Sequence, residues 1–478
     1  MLCIPVISET TEQALADMEA AGRLADLVEV RLDYVKNPDL PRIIAARPKP
    51  LIITITPASE NGQFRGTEAE RIALLEQAID LGADYVDINL DCAERDRLIK
   101  NCKGTRVIVS YHNYNETPQD LEAIHSRIQA TGADIIKIAT RANRLEDNFR
   151  VLAIAQKSEK DTIALCMGEL GEISRILAPL HGAYLTFASL SPGRESAPGQ
   201  IPAETMHNIY GLQKLQPGCT LYGLIGNPVS KSRGYILFNR LFRRSRMNSL
   251  YLNFPVQNLD EFMHSIAPRL AGFSITMPHK QAVMAFLDDI DPLAKKIGAV
   301  NTVVNSGGRL IGYNTDLAGA LKPIQARTPV AGRRVTLLGA GGAARAIAVG
   351  IIAAGGKLTI LNRTVAKARA LADELGCGAG PLADFPRTET DILINMTSVG
   401  MHPRVAEAPV DTALVKNMTV LDGIYNPEKT LLLQKAEENG CSSISGLEMF
   451  ITQAAEQLRL WTAREADTGL MREILTCS

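Results

Sequence analysis

The sequence has almost no net charge. Its 51 Lys and Arg against 52 Asp and Glu leave −1 at neutral pH, so nothing marks a nucleic acid or a membrane surface as an electrostatic partner. It also lacks paired cysteines. Cys3, Cys92, Cys102, Cys166, Cys219, Cys377, Cys441 and Cys477 are scattered, with no CxxC and no ligand spacing, which reads as reduced thiols in a cytoplasmic protein with no metal site. No uninterrupted apolar run reaches ~18 residues. The N-terminus enters a strand-like segment, Cys3 to Ser8, without a basic stretch or cleavage pattern, so neither a membrane span nor a signal peptide is expected. What remains is a chain of 478 residues, 46% hydrophobic and 22% charged. That is the composition of a soluble globular protein with room for about three domains.

Short apolar runs recur over the first 210 residues: 4–8, 27–32, 51–56, 85–90, 106–110, 135–140, 162–167 and 183–188. A segment with helical spacing follows each, such as Glu68 to Leu81 with Ile72, Leu75 and Ile79 on one face. Eight β-then-α units of this length suggest a (β/α)8 barrel, with its chemistry at the C-terminal strand ends. An open doubly wound sheet is the alternative, but no Gly-rich phosphate loop follows any of these strands.

One residue disturbs the apolar pattern. Lys137 sits inside Ile135-Ile-Lys-Ile-Ala139, and a buried ammonium is costly enough to need a reason. Burial is expected to lower its pKa and leave a neutral amine, a nucleophile toward carbonyls; the alternative is an edge-strand lysine reaching water. Other polar residues gather near the same strand ends. Glu29 and Arg31 share a face of the second strand, either as site residues or as a structural ion pair. His112 follows the fifth strand and Arg175 the seventh, and a Gly-, Ser- and Pro-rich loop, Ser189 to Gln200, follows the eighth as a closing lid would. An acid, a base, an amine and a guanidinium at one barrel mouth favour Schiff-base chemistry on an anionic carbonyl compound.

Glu-Val-Arg-Leu-Asp (29–33), Ser-Tyr-His-Asn (110–113), Ile-Ile-Lys-Ile-Ala (135–139), Gly-Glu-Leu-Gly-Glu-Ile-Ser-Arg (168–175) and Ser-Ala-Pro-Gly-Gln (196–200) resemble type I 3-dehydroquinate dehydratases. The resemblance implies that Lys137 forms an imine with the substrate ketone and that His112 is the general acid/base. It also implies that Arg175, Ser196 and Gln200 hold the carboxylate and hydroxyls, while Glu29 and Arg31 orient the substrate. Two positions depart from that family. Thr56 or Pro57 stands where an arginine is usual, and Asn89 where the residue is often acidic.

A polar break, Gln213-Lys-Leu-Gln-Pro-Gly218, precedes a new apolar start at Leu221. The expected division is 1–216 and 219–478. Further on, Val335-Thr-Leu-Leu-Gly-Ala-Gly-Gly-Ala-Ala-Arg345 reads as a strand, a glycine turn and a helix, the arrangement that brings backbone N–H groups to a pyrophosphate. The next strand ends in Asn362-Arg363-Thr364. An arginine there, where a carboxylate would select NAD, favours the 2′-phosphate of NADP. Lys280 and Asp316 offer an amine and a carboxylate that could relay a proton during hydride transfer.

Gly-Phe-Ser-Ile-Thr-Met-Pro-His-Lys (272–280), Gly-Ala-Val-Asn-Thr (298–302), Asn-Thr-Asp (314–316), the glycine turn, Asn-Arg-Thr (362–364), Asn-Met-Thr-Ser-Val-Gly-Met (395–401) and Gly-Leu-Glu-Met-Phe-Ile-Thr-Gln (446–453) resemble shikimate dehydrogenases. By that resemblance Lys280 and Asp316 are catalytic, and Ser232, Thr276, Asn301, Tyr425 and Gln453 contact substrate. Gly339, Gly341, Gly342, Ala343, Asn362, Arg363, Thr364 and Gly446 line the NADP site. The resemblance implies a two-lobed dehydrogenase, with an α/β substrate lobe at 219–322 and about 445–478 and a Rossmann-like, doubly wound NADP lobe at 323–444. In the family's Gly-Asn-Pro and Ser-x-Ser-Pro pattern, this chain keeps Ser232 but has Gly234 for the second serine, Tyr235 for the proline, and Lys231 for a frequent histidine. The two resemblances together imply consecutive steps toward shikimate. The alternatives are a fusion preferring quinate and a non-catalytic metabolite sensor.

Overall fold

The computed structural model describes residues 1–102 and 104–476, so Cys477 lies outside the described residues. It divides into two compact units, Met1–Thr220 with Phe242–Phe254, and Leu221–Leu241 with Pro255–Ser478.

One sheet of the first unit has eight strands: β1 (Leu2–Val6), β2 (Leu27–Arg31), β3 (Leu51–Thr54), β4 (Tyr85–Asn89), β5 (Arg106–Asn113), β6 (Ile135–Arg141), β7 (Thr162–Met167) and β8 (Thr186–Phe187). Each of β1 to β6 pairs in parallel with the next, and β8 pairs with β1. Just before β8, Tyr184 N donates to Thr162 O of β7 at 2.9 Å, which nearly closes the ring into a barrel. An open sheet is thereby excluded. Residues such as Ile52, Ile108 and Ile163 are fully or almost fully buried, as strands covered on both faces require. The helix Glu68–Asp80 begins where Thr67 and Glu70 cap each other's backbone N–H, which satisfies two otherwise open donors. The strand β8 is shorter than its apolar run, because Ala183 and Tyr184 are spent on the turn and on closing the ring.

The second unit contains a mixed sheet and a parallel sheet. In the mixed sheet, Thr220–Gly226 runs parallel to Gly272–Ile275, which is antiparallel to Thr302–Ser306, itself antiparallel to Arg309–Tyr313. In the parallel sheet the spatial order is Gly378–Gly380, Lys357–Leu361, Arg334–Leu338, Ile392–Asn395, Thr419–Asp422 and Ser442–Ile444. Numbered along the chain this is 3-2-1-4-5-6, so the order reverses between Arg334–Leu338 and Ile392–Asn395. Ligands of doubly wound sheets bind at that reversal. The helices Asp316–Gln325 and Gly446–Thr462 cross closely, because a Cβ on Gly319 would stand only 2.8 Å from Gln453 Cβ.

Candidate active sites

Glu29, Arg31, His112, Lys137, Arg175, Ser196 and Gln200 all line one pocket of the first unit. Lys137, 6% exposed, donates from Nζ to Asp87 Oδ2 at 2.6 Å and lies 3.7 Å from Glu29 Oε1. Its strand is paired on both sides, by β5 and β7, so it is no edge residue. Burial pulls the ammonium pKa down, but Asp87 and then Glu29 outweigh burial and raise it above the ordinary lysine value. This reverses the expectation of a neutral amine, which counted desolvation and missed the carboxylates. Asp87 answers in kind. Burial pushes its carboxyl up, yet the charges of Lys137 and His112 hold it below the ordinary aspartate value.

Arg175 is the opposite case. It is 1% exposed, its Nε and one Nη meet no acceptor, and burial brings its pKa down to about 10. A buried guanidinium with empty donors costs several kcal/mol, so the pocket is prepared for an anion. Arg31 does not pair with Glu29. Its guanidinium spans Asp33 at 2.9 and 2.8 Å, while Glu29 accepts from Thr54 Oγ1 at 2.7 Å. Ser196 and Gln200 brace each other, with Gln200 Oε1 accepting from Ser196 N at 2.8 Å and Gln200 Nε2 donating to Ser196 Oγ at 3.0 Å. The place of the usual arginine falls to Thr56, which lines the pocket; Pro57 does not. His112 lies within β5 rather than after it, because that strand runs on to Asn113.

Sequence reasoning missed Asp87, and Glu60, whose Oε2 stands 3.6 Å from His112 Nδ1. The signal for Asp87 was present, since it stands two residues before Asn89 on β4 and so shares its face.

In the second unit Lys280 Nζ donates to Asp316 Oδ2 at 2.6 Å. Asn301 Nδ2 donates to Asp316 Oδ1 at 2.8 Å, and Thr315 Oγ1 lies 3.3 Å from Gln453 Oε1. These residues are far apart in sequence and form one cluster. The Tyr425 ring stacks on Phe450, with centroids 5.2 Å apart. The methyl of Thr276 fills the space beside Gly226, where a Cβ would come within 2.2 Å of it. Ser232 Oγ accepts from Gly234 N at 3.2 Å, and Gly234 begins the helix Gly234–Arg244.

The glycine turn meets the end of Arg334–Leu338 as expected. Gly339 has φ 110° with Met396 O 3.0 Å from where its Cβ would be, while nothing stands within 4 Å of a Cβ at Gly341. A side chain is thus excluded at the first position, and at the second the backbone lies open to a ligand. The helix Gly342–Ala353, which includes Ala343, starts from Gly341 with no side-chain cap, so its first N–H groups are free for an anion. A pocket lies between this turn and Lys280. Asn362 Nδ2 donates to Thr364 O at 3.0 Å, and Arg363 between them is exposed. Gly446 packs against the backbone of Ile424, 2.3 Å from its O to an added Cβ, a close approach that a side chain would prevent.

Family models match in four stretches. Residues 2–217 match the type I 3-dehydroquinase model, 224–303 the shikimate dehydrogenase substrate binding domain, 323–428 the shikimate / quinate 5-dehydrogenase model, and 446–476 the shikimate 5′-dehydrogenase C-terminal domain. The chain is also 40% identical, over its whole length and 84% of the relative's, to the chloroplastic bifunctional 3-dehydroquinate dehydratase/shikimate dehydrogenase of Arabidopsis thaliana. The chain belongs to this bifunctional family. It therefore carries a dehydratase unit and a dehydrogenase unit, and the sensor alternative falls. Among solved structures, the dehydrogenase unit is similar to a shikimate dehydrogenase from Thermus thermophilus in complex with NADP(H) and shikimate. The match has a TM-score of 0.50 and 32% identity and covers 53% of this chain and 98% of that one. It is also similar to a quinate dehydrogenase from Corynebacterium glutamicum in complex with NAD, with a TM-score of 0.51 and 28% identity, covering 54% and 99%.

Proposed function

We propose that the first unit dehydrates 3-dehydroquinate through an imine on Lys137, and that the second reduces the resulting 3-dehydroshikimate to shikimate with NADPH. The observation that carries this reading is a buried lysine held by two carboxylates beside a buried arginine with empty donors. Arg175 takes the substrate carboxylate, Ser196 and Gln200 take hydroxyls, and Glu29 and Arg31 orient the ring. Lys137 gives up a proton before its lone pair attacks the ketone, and loss of water leaves the iminium. The positive charge then sits at the same nitrogen, so Asp87 and Glu29 face it as they face the ammonium. The iminium draws electrons from the neighbouring carbon, whose proton passes to His112, and the β-hydroxyl departs as water with a proton from His112. Hydrolysis returns the free lysine, so one molecule of water is lost overall.

In the second unit Lys280 and Asp316 pass a proton to the carbonyl oxygen being reduced. Ser232, Thr276, Asn301, Tyr425 and Gln453 hold the ring. NADPH, when bound, supplies the hydride. Gly339, Gly341, Gly342 and Ala343 cradle its pyrophosphate, Asn362, Arg363 and Thr364 hold its 2′-phosphate, and Gly446 keeps the neighbouring backbone close. Arg363→Ala is expected to raise KM for NADPH by roughly 10- to 100-fold, the value of a charge-assisted hydrogen bond, and to leave KM for NADH nearly unchanged. Steady-state kinetics with both cofactors checks this.

The working boundaries are 1–216 and 219–478, with the NADP lobe at 323–444. A cytoplasmic location is supported by the free thiols of all seven described cysteines. Among the described residues no helix is long and apolar enough to cross a membrane.

Gly234 favours a second reading. A missing serine hydroxyl removes a hydrogen bond to the substrate carboxylate worth about 1.5 to 3 kcal/mol and leaves room for the additional C1 hydroxyl of quinate. One set of assays separates the two. Purified protein given 3-dehydroquinate and NADPH is expected to form shikimate, and with NADP+ to oxidise shikimate faster than quinate. No shikimate at any pH would overturn the main reading, and faster quinate oxidation would establish the second.

A further inference from the structure

One cation on the wall of the cofactor pocket has no task in the mechanism above. Arg345 lines that pocket with Lys280, Gly341 and Gly342 and stands in the first turn of the helix Gly342–Ala353, where a guanidinium reads at once as a pyrophosphate ligand. Its hydrogen bonds point elsewhere. Nη1 donates to Glu374 Oε2 at 2.7 Å, Nη2 donates to Glu374 Oε1, and Nε donates to Ile297 O, so three of its five N–H groups are committed within the protein.

The two partners come from different halves of the second unit. Glu374 lies on the helix Val365–Leu375, which follows the strand Lys357–Leu361 of the parallel sheet, whereas Ile297 ends the helix Pro292–Ile297 and leads into Thr302–Ser306 of the mixed sheet. That helix stops at Gly298, whose φ of 70° is the left-handed value that favours glycine. Ile297 O thus belongs to a last turn whose carbonyls need partners from outside the helix, and Arg345 Nε is one. Beside this contact Ile297 and Ala299 cluster with Ala346 and Val349 of the glycine-turn helix, each no more than 1% exposed. The same segment reaches the reacting groups. Val300 N donates to Lys280 O at 2.8 Å, and the next residue, Asn301, holds Asp316.

We propose that Arg345 is a positioning residue for hydride transfer, pinning the helix that receives the cofactor's pyrophosphate to the segment that carries Asn301, and that it is not itself a phosphate ligand. This rests on the reading of the second unit as a reductase that binds NADPH at the glycine turn. The span from that turn to Lys280 and Asp316 sets how closely the hydride donor approaches the carbonyl, and a misplacement of about 1 Å can cost about 100-fold in rate. Glu374 is 48% exposed, and an ion pair so open to water contributes little to stability. Loss of the contact therefore shows in catalysis before it shows in folding.

The test compares Arg345→Ala, Arg345→Lys and Glu374→Gln in the full chain, assayed with 3-dehydroshikimate and NADPH, with the dehydratase rate as a check of each preparation. Arg345→Ala is expected to lower kcat by roughly 10- to 100-fold and to leave KM for NADPH nearly unchanged. Its deuterium isotope effect, read with NADPH labelled at the transferred hydrogen, is at least as large as that of the wild type, because hydride transfer is the step slowed. Arg345→Lys keeps a charge and a donor, falls between wild type and Ala, and is the variant read if Ala lowers the unfolding midpoint. Glu374→Gln also falls between them in kcat, with KM for NADPH no lower than wild type. A wild-type kcat for Arg345→Ala, or a rise in KM for NADPH as large as the fall in kcat, overturns the proposal. So does a lowered KM in Glu374→Gln, which would mean a guanidinium released to bind phosphate. A wild-type protein that makes no shikimate from 3-dehydroshikimate and NADPH overturns instead the reading of the second unit.

Discussion

Lys137→Ala is expected to lower dehydratase kcat by on the order of 10^5-fold, the scale on which loss of a catalytic nucleophile acts, while the dehydrogenase of the same chain continues. Borohydride added with 3-dehydroquinate is expected to inactivate the wild-type dehydratase and leave a reduced adduct on Lys137, readable by peptide mass. The variant forms none, and an adduct elsewhere would remove Lys137 from the mechanism. Stability gives an independent readout. Removing the cation strands Asp87 and Glu29, 4% exposed each, and breaking a buried pair this way costs about 3 to 5 kcal/mol. In the wild type the Asp87 pKa is depressed, so its contribution is present above the ordinary aspartate range and is lost as pH falls through the folded value. In the variant the unpaired carboxyl takes up a proton more readily. The gap between the two proteins is therefore widest near neutral pH and closes in acid, as denaturant unfolding at several pH values would show.

The second large effect belongs to Lys280 and Asp316. The Nζ to Oδ2 distance of 2.6 Å makes them one proton-passing unit, and Asn301 holds the other carboxylate oxygen. Lys280→Ala and Asp316→Asn are each expected to lower dehydrogenase kcat by roughly 10^2- to 10^4-fold. The double variant should be little worse than either alone, because groups acting as a unit are not additive. Additive losses would mean that the two act separately. The dehydratase rate, measured on the same preparations, stays at the wild-type level.

The pocket also shows which parts of such a site a linear reading can find. Lys137 is conspicuous because an ammonium within Ile135–Ala139 breaks an apolar run. Glu29 and Arg31 are visible through the two-residue period of a strand. Their partners are not. Arg31 turns to Asp33, two residues further on, whereas Glu29 turns to Thr54 of the neighbouring strand β3 and to Lys137 across the barrel interior. The pKa of Lys137 escapes a linear reading for the same reason. Desolvation can be anticipated from an apolar neighbourhood, whereas Asp87 is 50 residues away and acts only once β4 and β6 face the same interior.

Alternating apolar runs and helical faces, a turn of glycines after a strand, and the motifs around Lys137 and Lys280 determined the barrel, the doubly wound sheet and the family from the sequence by itself. These are local patterns, set by backbone geometry and by which side chains avoid water. The tertiary structure alone decided that Lys137 is held as a cation, that two donors of Arg175 are left without an acceptor, that Thr56 and not Pro57 lines the pocket, and that Glu60 stands near His112. Each of these depends on distances between residues remote in sequence, and electrostatic energies vary too steeply with distance and burial to be read from spacing along a chain.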